Sequence, residues 1–366
     1  MIFTMKFIKN LILTGASVTA VTIAACCSCE RTSLPHTDTK GPENVVIDRT
    51  AFAKGADISW ITLMESQGMK FYNAEGAERE CTALMKELGM NSVRYRVWVN
   101  PAEGWNSASD VLVKAMRAQE LGMRIMIDFH YSDTWADPGH QSPPAAWASY
   151  DIGQLTKSLS DHTAEVLSLL KKYGVEVEWV QVGNETRTGM MWPLGSYKEN
   201  GGRNYTALTN AGYDAVKSVY PEAKVIVHLD GGHDIGLYNR LFPVLKANGG
   251  KYDMIGMSLY PCWWNADKNA FDTDWKPNTD ACIANIKAVH ETYGKDVMIC
   301  ETGMPVVNPE IARDMLSYLL EKTKELDCCK GVFYWEPQAP NGYNDGYGLG
   351  AFKDGKPTAA LDPFKE

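Results

Sequence analysis

The sequence predicts a single (β/α)8 barrel, on three observations. From about residue 54, short apolar runs alternate with longer amphipathic ones, the rhythm of parallel strands joined by helices. Eight such runs occupy roughly 310 residues, the strand number and chain length that a closed barrel needs. No linker or shift of composition interrupts them, so residues 51–366 read as one domain. An open doubly wound sheet is the competing architecture, but the glycine-rich phosphate turn that often accompanies it is missing after the first run.

The strands are placed by their apolar cores: Gly55 to Ser59, Ser92 to Trp98, Arg124 to Phe129, Val177 to Val182, Val225 to Leu229, Met254 to Ser258, Val297 to Cys300 and Gly331 to Trp335. The second carries Arg94 and Arg96 at alternate positions, so both point to the same side. Between strands the apolar spacing becomes helical. Leu155, Leu159, His162, Val166, Leu169 and Leu170 form one stripe, and Ile311, Met315, Tyr318 and Leu319 another. Each stripe predicts a helix packed on the sheet, the later one beginning near Asn308.

Ahead of the barrel, Lys6 and Lys9 precede the apolar stretch Leu11 to Ala25 and the sequence Ile23-Ala24-Ala25-Cys26. This resembles a bacterial lipoprotein signal peptide over residues 1–25, with Cys26 lipidated after cleavage. The stretch is short for a spanning helix. An uncleaved anchor is the alternative, and both place the folded domain outside the inner membrane. Residues 26–50 then form a tether, rich in Ser, Thr, Pro and Lys from Glu30 to about Asn44. The expectation is an outer-membrane lipoprotein, monomeric and displayed at the cell surface. Of nine cysteines, three belong to the segment around Cys26. The rest show no metal-binding spacing. Cys81 and Cys300 are expected as buried thiols, and Cys262 with Cys282 is the expected bridge.

Hydrophobic residues make up 45% of the chain and charged residues 22%, without a low-complexity tract, which excludes fibrous and disordered classes. The formal net charge of −9 makes it a poor partner for nucleic acid. Eleven Trp and seventeen Tyr offer flat apolar faces on which sugar rings stack, besides those that fill the core.

Two of the strand-like runs lead into a glutamate, Trp179 through Glu185 and Val297 through Glu301. Barrel active sites form at the carboxyl ends of the strands, which puts both glutamates on one face, after strands four and seven. Two carboxylates facing one substrate atom, one protonated and one ionised, match glycosidic cleavage: one protonates the leaving oxygen while the other attacks the sugar carbon. For either glutamate alone, a solvated strand end is the competing reading. Asn184 suits a sugar hydroxyl beside the bond being broken. An inward arginine needs a carboxylate, and Arg94 is the candidate to orient Glu301 and keep it ionised. After strand three, His130 either bonds near the nucleophile or satisfies a loop carbonyl. Tyr260 is placed to reach the nucleophile, and Trp335 to floor the sugar.

Those residues resemble a known family. Gly55 through Ser59, Val93 through Pro101, Asp128-Phe129-His130-Tyr131-Ser132-Asp133-Thr134-Trp135-Ala136-Asp137-Pro138-Gly139, Trp179 through Glu185 and Gly331 through Pro337 are similar to glycoside hydrolase family 53, over nearly all of residues 54–363. The resemblance implies a retaining endo-β-1,4-galactanase acting on galactan in the arabinogalactan side chains of pectin, with Glu185 as acid/base and Glu301 as nucleophile. It implies substrate contacts from Asn184, Tyr260 and Trp335, with Asp57, His130, Trp135 and Asp230 nearby. Many bacterial relatives carry a long calcium-holding loop after the nucleophile strand. Here Met304-Pro305 and the helix near Asn308 follow Glu301 closely, so no cofactor is expected and calcium is unsupported. Asp267, Asp272, Asp274 and Asp280 form no calcium loop and read as solvated surface. Two rivals remain: the same chemistry on β-mannan or β-glucan, and a surface lipoprotein that binds glycans without cutting them.

Overall fold

The computed structural model describes residues 47–265, 267, 270–305 and 308–366. The expected signal peptide, Cys26 and most of the tether lie outside these residues. Eight strands, β1 (Ala53–Asp57), β2 (Ser92–Val97), β3 (Arg124–Phe129), β4 (Val177–Val182), β5 (Lys224–Leu229), β6 (Met254–Leu259), β7 (Asp296–Thr302) and β8 (Cys329–Trp335), pair in chain order, all parallel. β8 pairs with β1 and closes the barrel. Every strand lies within two residues of its expected span. Helices α1 (Ile61–Ser66) and α2 (Cys81–Glu87) follow β1, and α3 (Ala108–Glu120), α4 (Ile152–Lys172), α5 (Arg203–Val219), α6 (Ile235–Ala247), α7 (Lys276–Tyr293) and α8 (Pro309–Lys324) occupy the later crossovers.

Local chemistry sets these boundaries. Asp151 and Gln154 form a reciprocal capping box at the start of α4, satisfying two otherwise orphaned amides. Asn308 caps α8 and Pro309 occupies its first turn. The apolar stripe of α4 buries Leu155, Leu159, Val166 and Leu170 against the barrel, each contributing about 1.5–3 kcal/mol of transfer free energy.

The period of two along each strand divides the core. Outward residues such as Val93, Ile127, Val180, Val227 and Ile299 pack under the helices. Inward residues build a separate plug from seven strands: Ala53, Met126, Trp179, Ile226, Met254, Met298, Cys300 and Phe333. One step further toward the carboxyl ends, the inward positions become Asp57, Arg96, Asp128, Gln181, His228 and Ser258, all buried. The lumen is therefore dry below and polar above, and the change of character marks the site.

The expected Cys262–Cys282 bridge is absent; both are buried free thiols. Cys282, on α7, lies against the turn that follows β5, where a Cβ on Gly232 would lie 3.0 Å from its sulfur. That sulfur is committed to packing the helix on the barrel.

Candidate active site

A cavity of about 820 Å³ opens at the carboxyl ends of the strands. Of the residues singled out in the sequence, His130, Trp135, Asn184, Glu185, Asp230, Tyr260, Glu301 and Trp335 line it. Arg94 and Asp57 lie beneath it, both buried.

Each glutamate is aimed by a local departure from regular backbone. In β7, Ile299 pairs with Met257 but Glu301 pairs with the next residue, Ser258, leaving Cys300 as an extra residue. Cys300 joins the lumen plug, and this bulge turns Glu301 inward beside it, where strict alternation would face it outward. Glu301 thus sits within the strand, one residue past its expected end. Glu185 follows β4 through Gly183 at φ 90° and itself holds φ 46°, a left-handed conformation that costs a non-glycine residue about 1 kcal/mol.

Arg94 is the electrostatic hub. Its guanidinium meets Asp57 at 2.6 Å, Asp128 at 2.9 Å and Glu301 at 2.8 Å, and donates to Asn184 Oδ1 at 2.9 Å and Gln181 Oε1 at 2.5 Å. Tyr260 donates its hydroxyl to the other oxygen of Glu301 at 2.8 Å. Burial pushes the Glu301 carboxyl above its ordinary value, opposed first by Arg94. Glu185 is pushed much further, by burial and then by the charges of Glu301 and Asp230. The environment therefore separates the two carboxyls: Glu185 retains its proton while Glu301 ionises more readily. The expectation that Arg94 keeps Glu301 ionised needs this amendment, because burial works against it. Asp128, despite burial, is held below the usual range by Arg94 and His130.

His130 satisfies no loop carbonyl with its ring; it bonds near Glu301, to Asp128, with which Glu301 shares Arg94. Its Nδ1 accepts from the Ala136 amide at 3.0 Å and the Trp98 indole at 3.2 Å, so Nε2 carries the hydrogen and donates to Asp128 at 3.0 Å. It acts on Arg94 through Asp128. Asp57 accepts from Arg94 and from Ser59, behind the cavity wall. Asp230 pairs with Arg187 at 3.1 Å and is pushed up to about 6 by burial; its Oδ1 has no hydrogen-bond partner among the described residues.

Trp335 sits in an aromatic floor, its ring centre 5.1 Å from that of Trp60, 5.9 Å from Trp135 and 4.9 Å from Tyr347. The Arg96 guanidinium lies 4.4 Å over Trp135 and bonds the buried Glu336 at 2.6 Å. At the rim, Trp263 is 57% exposed beside Tyr260, an apolar face left to solvent.

Gln181, His228, Ser258 and Glu336 were missed as site residues. A signal existed: Gln181 and His228 each interrupt an apolar run, Val180-Gln181-Val182 and Val227-His228-Leu229, at the last inward positions of their strands. Among the described residues no cluster of His, Cys, Asp or Glu is placed to hold a metal. β7 ends at Thr302 and α8 begins at Pro309. Asp280 is engaged by Lys276 and the Tyr318 hydroxyl on the surface of α7.

Residues 53–314 match the pattern described as glycosyl hydrolase family 53. A probable arabinogalactan endo-β-1,4-galactanase A of Neosartorya fischeri is 33% identical over 78% of this chain and 83% of its own length. The arabinogalactan endo-β-1,4-galactanase A of Emericella nidulans is 32% identical over 81% and 87%. Among solved structures, one from a study of two fungal β-1,4-galactanases superposes with a TM-score of 0.76 at 29% identity, covering 86% of this chain and 99% of that one. The family 53 catalytic domain of Ignisphaera aggregans gives 0.75 at 26%, covering 87% and 98%.

Proposed function

The chain belongs to glycosyl hydrolase family 53, and from that membership we propose that it is an arabinogalactan endo-β-1,4-galactanase working with retention of configuration. The observation that carries the mechanism is the pair of buried carboxyls facing one cavity, both raised by burial but Glu185 further than Glu301, which Arg94 opposes. Glu301, gripped by Arg94 and Tyr260, attacks the anomeric carbon while Glu185 protonates the leaving oxygen. Glu185 then takes a proton from the water that frees the sugar. Retention requires the two carboxyls to stand about 5 Å apart, close enough for direct attack without an intervening water. Trp335 offers the face on which the sugar at the cleaved bond rests.

The deciding experiment incubates residues 30–366 with β-1,4-galactan beside β-mannan and β-glucan and sizes the products. Short galacto-oligosaccharides from galactan alone support the reading. Cleavage of another polymer instead removes the substrate assignment, and cleavage of none removes the reaction. With no long loop after β7, EDTA should leave galactan turnover unchanged, and its loss on chelation would restore a calcium requirement.

Residues 1–25 are further proposed as a lipoprotein signal peptide, with Cys26 lipidated and the barrel tethered at the outer cell surface. Lys6, Lys9 and the Ile23-Ala24-Ala25-Cys26 sequence support this. Labelled fatty acid should enter the wild type and not Cys26→Ala, and proteinase added to whole cells should digest a surface-displayed domain.

A further inference from the structure

We propose that His228 and Ser258 form a hydrogen-bond relay that holds the proton on Glu185 before catalysis, making His228 a positioning residue for the acid/base. The proposal rests on the acid/base assignment of Glu185. The direction of every hydrogen bond in the relay follows from its fixed end. Asn184 donates its amide to the Ala136 carbonyl at 2.7 Å, which turns its oxygen toward Arg94 Nη2 and His228 Nδ1, each at 2.9 Å. An amide oxygen only accepts, so His228 Nδ1 carries a hydrogen.

His228 is fully buried, and burial followed by the neighbouring Arg94 keeps it neutral. A neutral imidazole protonated at Nδ1 has a bare Nε2, which must accept. Its partner is the Ser258 hydroxyl at 2.9 Å, so the one hydrogen of that hydroxyl points to His228. Ser258 then offers only lone pairs to Glu185 Oε1, 2.6 Å away. That contact is a hydrogen bond only when Glu185 carries the proton.

The reverse polarity is worse. If Ser258 donates to an ionised Glu185, His228 must carry its hydrogen on Nε2. Its bare Nδ1 then faces the Asn184 oxygen at 2.9 Å, lone pair against lone pair, with only the Glu185 amide at 3.4 Å in compensation. Protonating both nitrogens would bury a second cation beside Arg94. The charged neighbours of Glu185 are Glu301 on β7, Asp230 after β5 and Arg94 on β2; those of His228 are Arg94, Asp128 and His130. When Glu185 gives its proton to the leaving oxygen, the relay is left one hydrogen short. The proton that water surrenders in the second step restores it.

The test is the pH dependence of kcat/KM on galactan for Ser258→Ala and Ser258→Thr. Loss of the acceptor destabilises protonated Glu185, so the alkaline limb of Ser258→Ala should move down by about one pH unit. Ser258→Thr, which keeps the hydroxyl, should restore it. An upward or absent shift overturns the relay, because a hydroxyl that donated to the carboxylate would leave a raised pKa behind. An aryl β-1,4-galactobioside, whose phenolate departs without a proton, should still be turned over by Ser258→Ala, reporting an intact site. An unshifted alkaline limb on galactan in Glu185→Gln would instead remove the acid/base assignment itself. Independently of any variant, the 15N shifts of His228 should report hydrogen on Nδ1, and hydrogen on Nε2 overturns the proposal.

Discussion

Two glutamates of identical chemistry meet different electrostatic surroundings at one cavity. Glu301 has a cation at 2.8 Å and a phenol at 2.8 Å, both favouring its charge, while Glu185 has a neutral serine at 2.6 Å and two acidic neighbours. Replacing Glu301 by Ala should abolish turnover of every substrate. Glu185→Gln should cost about 10²–10⁴-fold on galactan. The same variant should lose far less on an activated aryl galactobioside, where no proton is required; steady-state kinetics on both substrates checks this. In the proposed roles Glu301 works ionised and Glu185 protonated, so kcat/KM should rise through the lower apparent pKa of the pair and fall through the upper. Burial raises both, so the optimum should lie above 4.5, the ordinary value of a glutamate. A pH–rate profile peaking below that value would contradict the assigned roles.

At the scale of the element, the barrel aims three buried carboxyls by breaking backbone regularity at the ends of β4, β7 and β8. The extra residue in β7 and the left-handed Glu185 after β4 both override the inward–outward alternation. Glu336, at φ 48° after β8, does the same and sends its carboxyl under the floor to Arg96. Gly183, at φ 90°, lets β4 turn into its glutamate, and a Cβ there would lie 2.6 Å from Thr186 Cγ2. Gly183→Ala should destabilise the fold by about 1 kcal/mol or more. It should also lower kcat on galactan, because Glu185 moves with the turn; thermal melts read together with kinetics separate the two effects. Unchanged kcat would show that Glu185 is aimed from elsewhere.

For the whole molecule, a buried polar layer above a dry plug couples stability to pH. Glu336 is fully buried and pushed up to about 7 from 4.5, by burial first and the Asp57 charge in support, against Arg96. A carboxyl with a raised folded-state pKa binds its proton more tightly in the native state. Its contribution is therefore fully present below pH 4.5 and is lost as pH rises through 7. The change is of order 3 kcal/mol. Tm should thus fall between those limits, and Glu336→Gln should flatten the slope. An equal slope in the variant would transfer the effect to other groups. Asp128, with its lowered pKa, acts oppositely, its stabilisation being lost as pH falls below 3.8.

The repeat of apolar runs determined the closed barrel by itself, since eight alternations of period two and period 3.6 admit few other packings. The same rhythm placed Glu185 and Glu301 at its mouth, because strand ends are local features. Arg94 was legible as well, an inward cation demanding carboxylates. What only the tertiary structure decided depends on residues far apart in sequence. His228 meets Asn184 and Ser258 across 44 and 30 positions, and Arg94 gathers Asp57, Asp128 and Glu301 from three other strands. The bulge at Cys300 is invisible in a run that reads as continuous strand, because the extra residue is defined by its pairing with β6. The pairing of Cys262 with Cys282 failed for the same reason: spacing along the chain carries no distance in space. Local periodicity encodes elements, whereas hydrogen-bond partners and protonation states are set by the closure that brings those elements together.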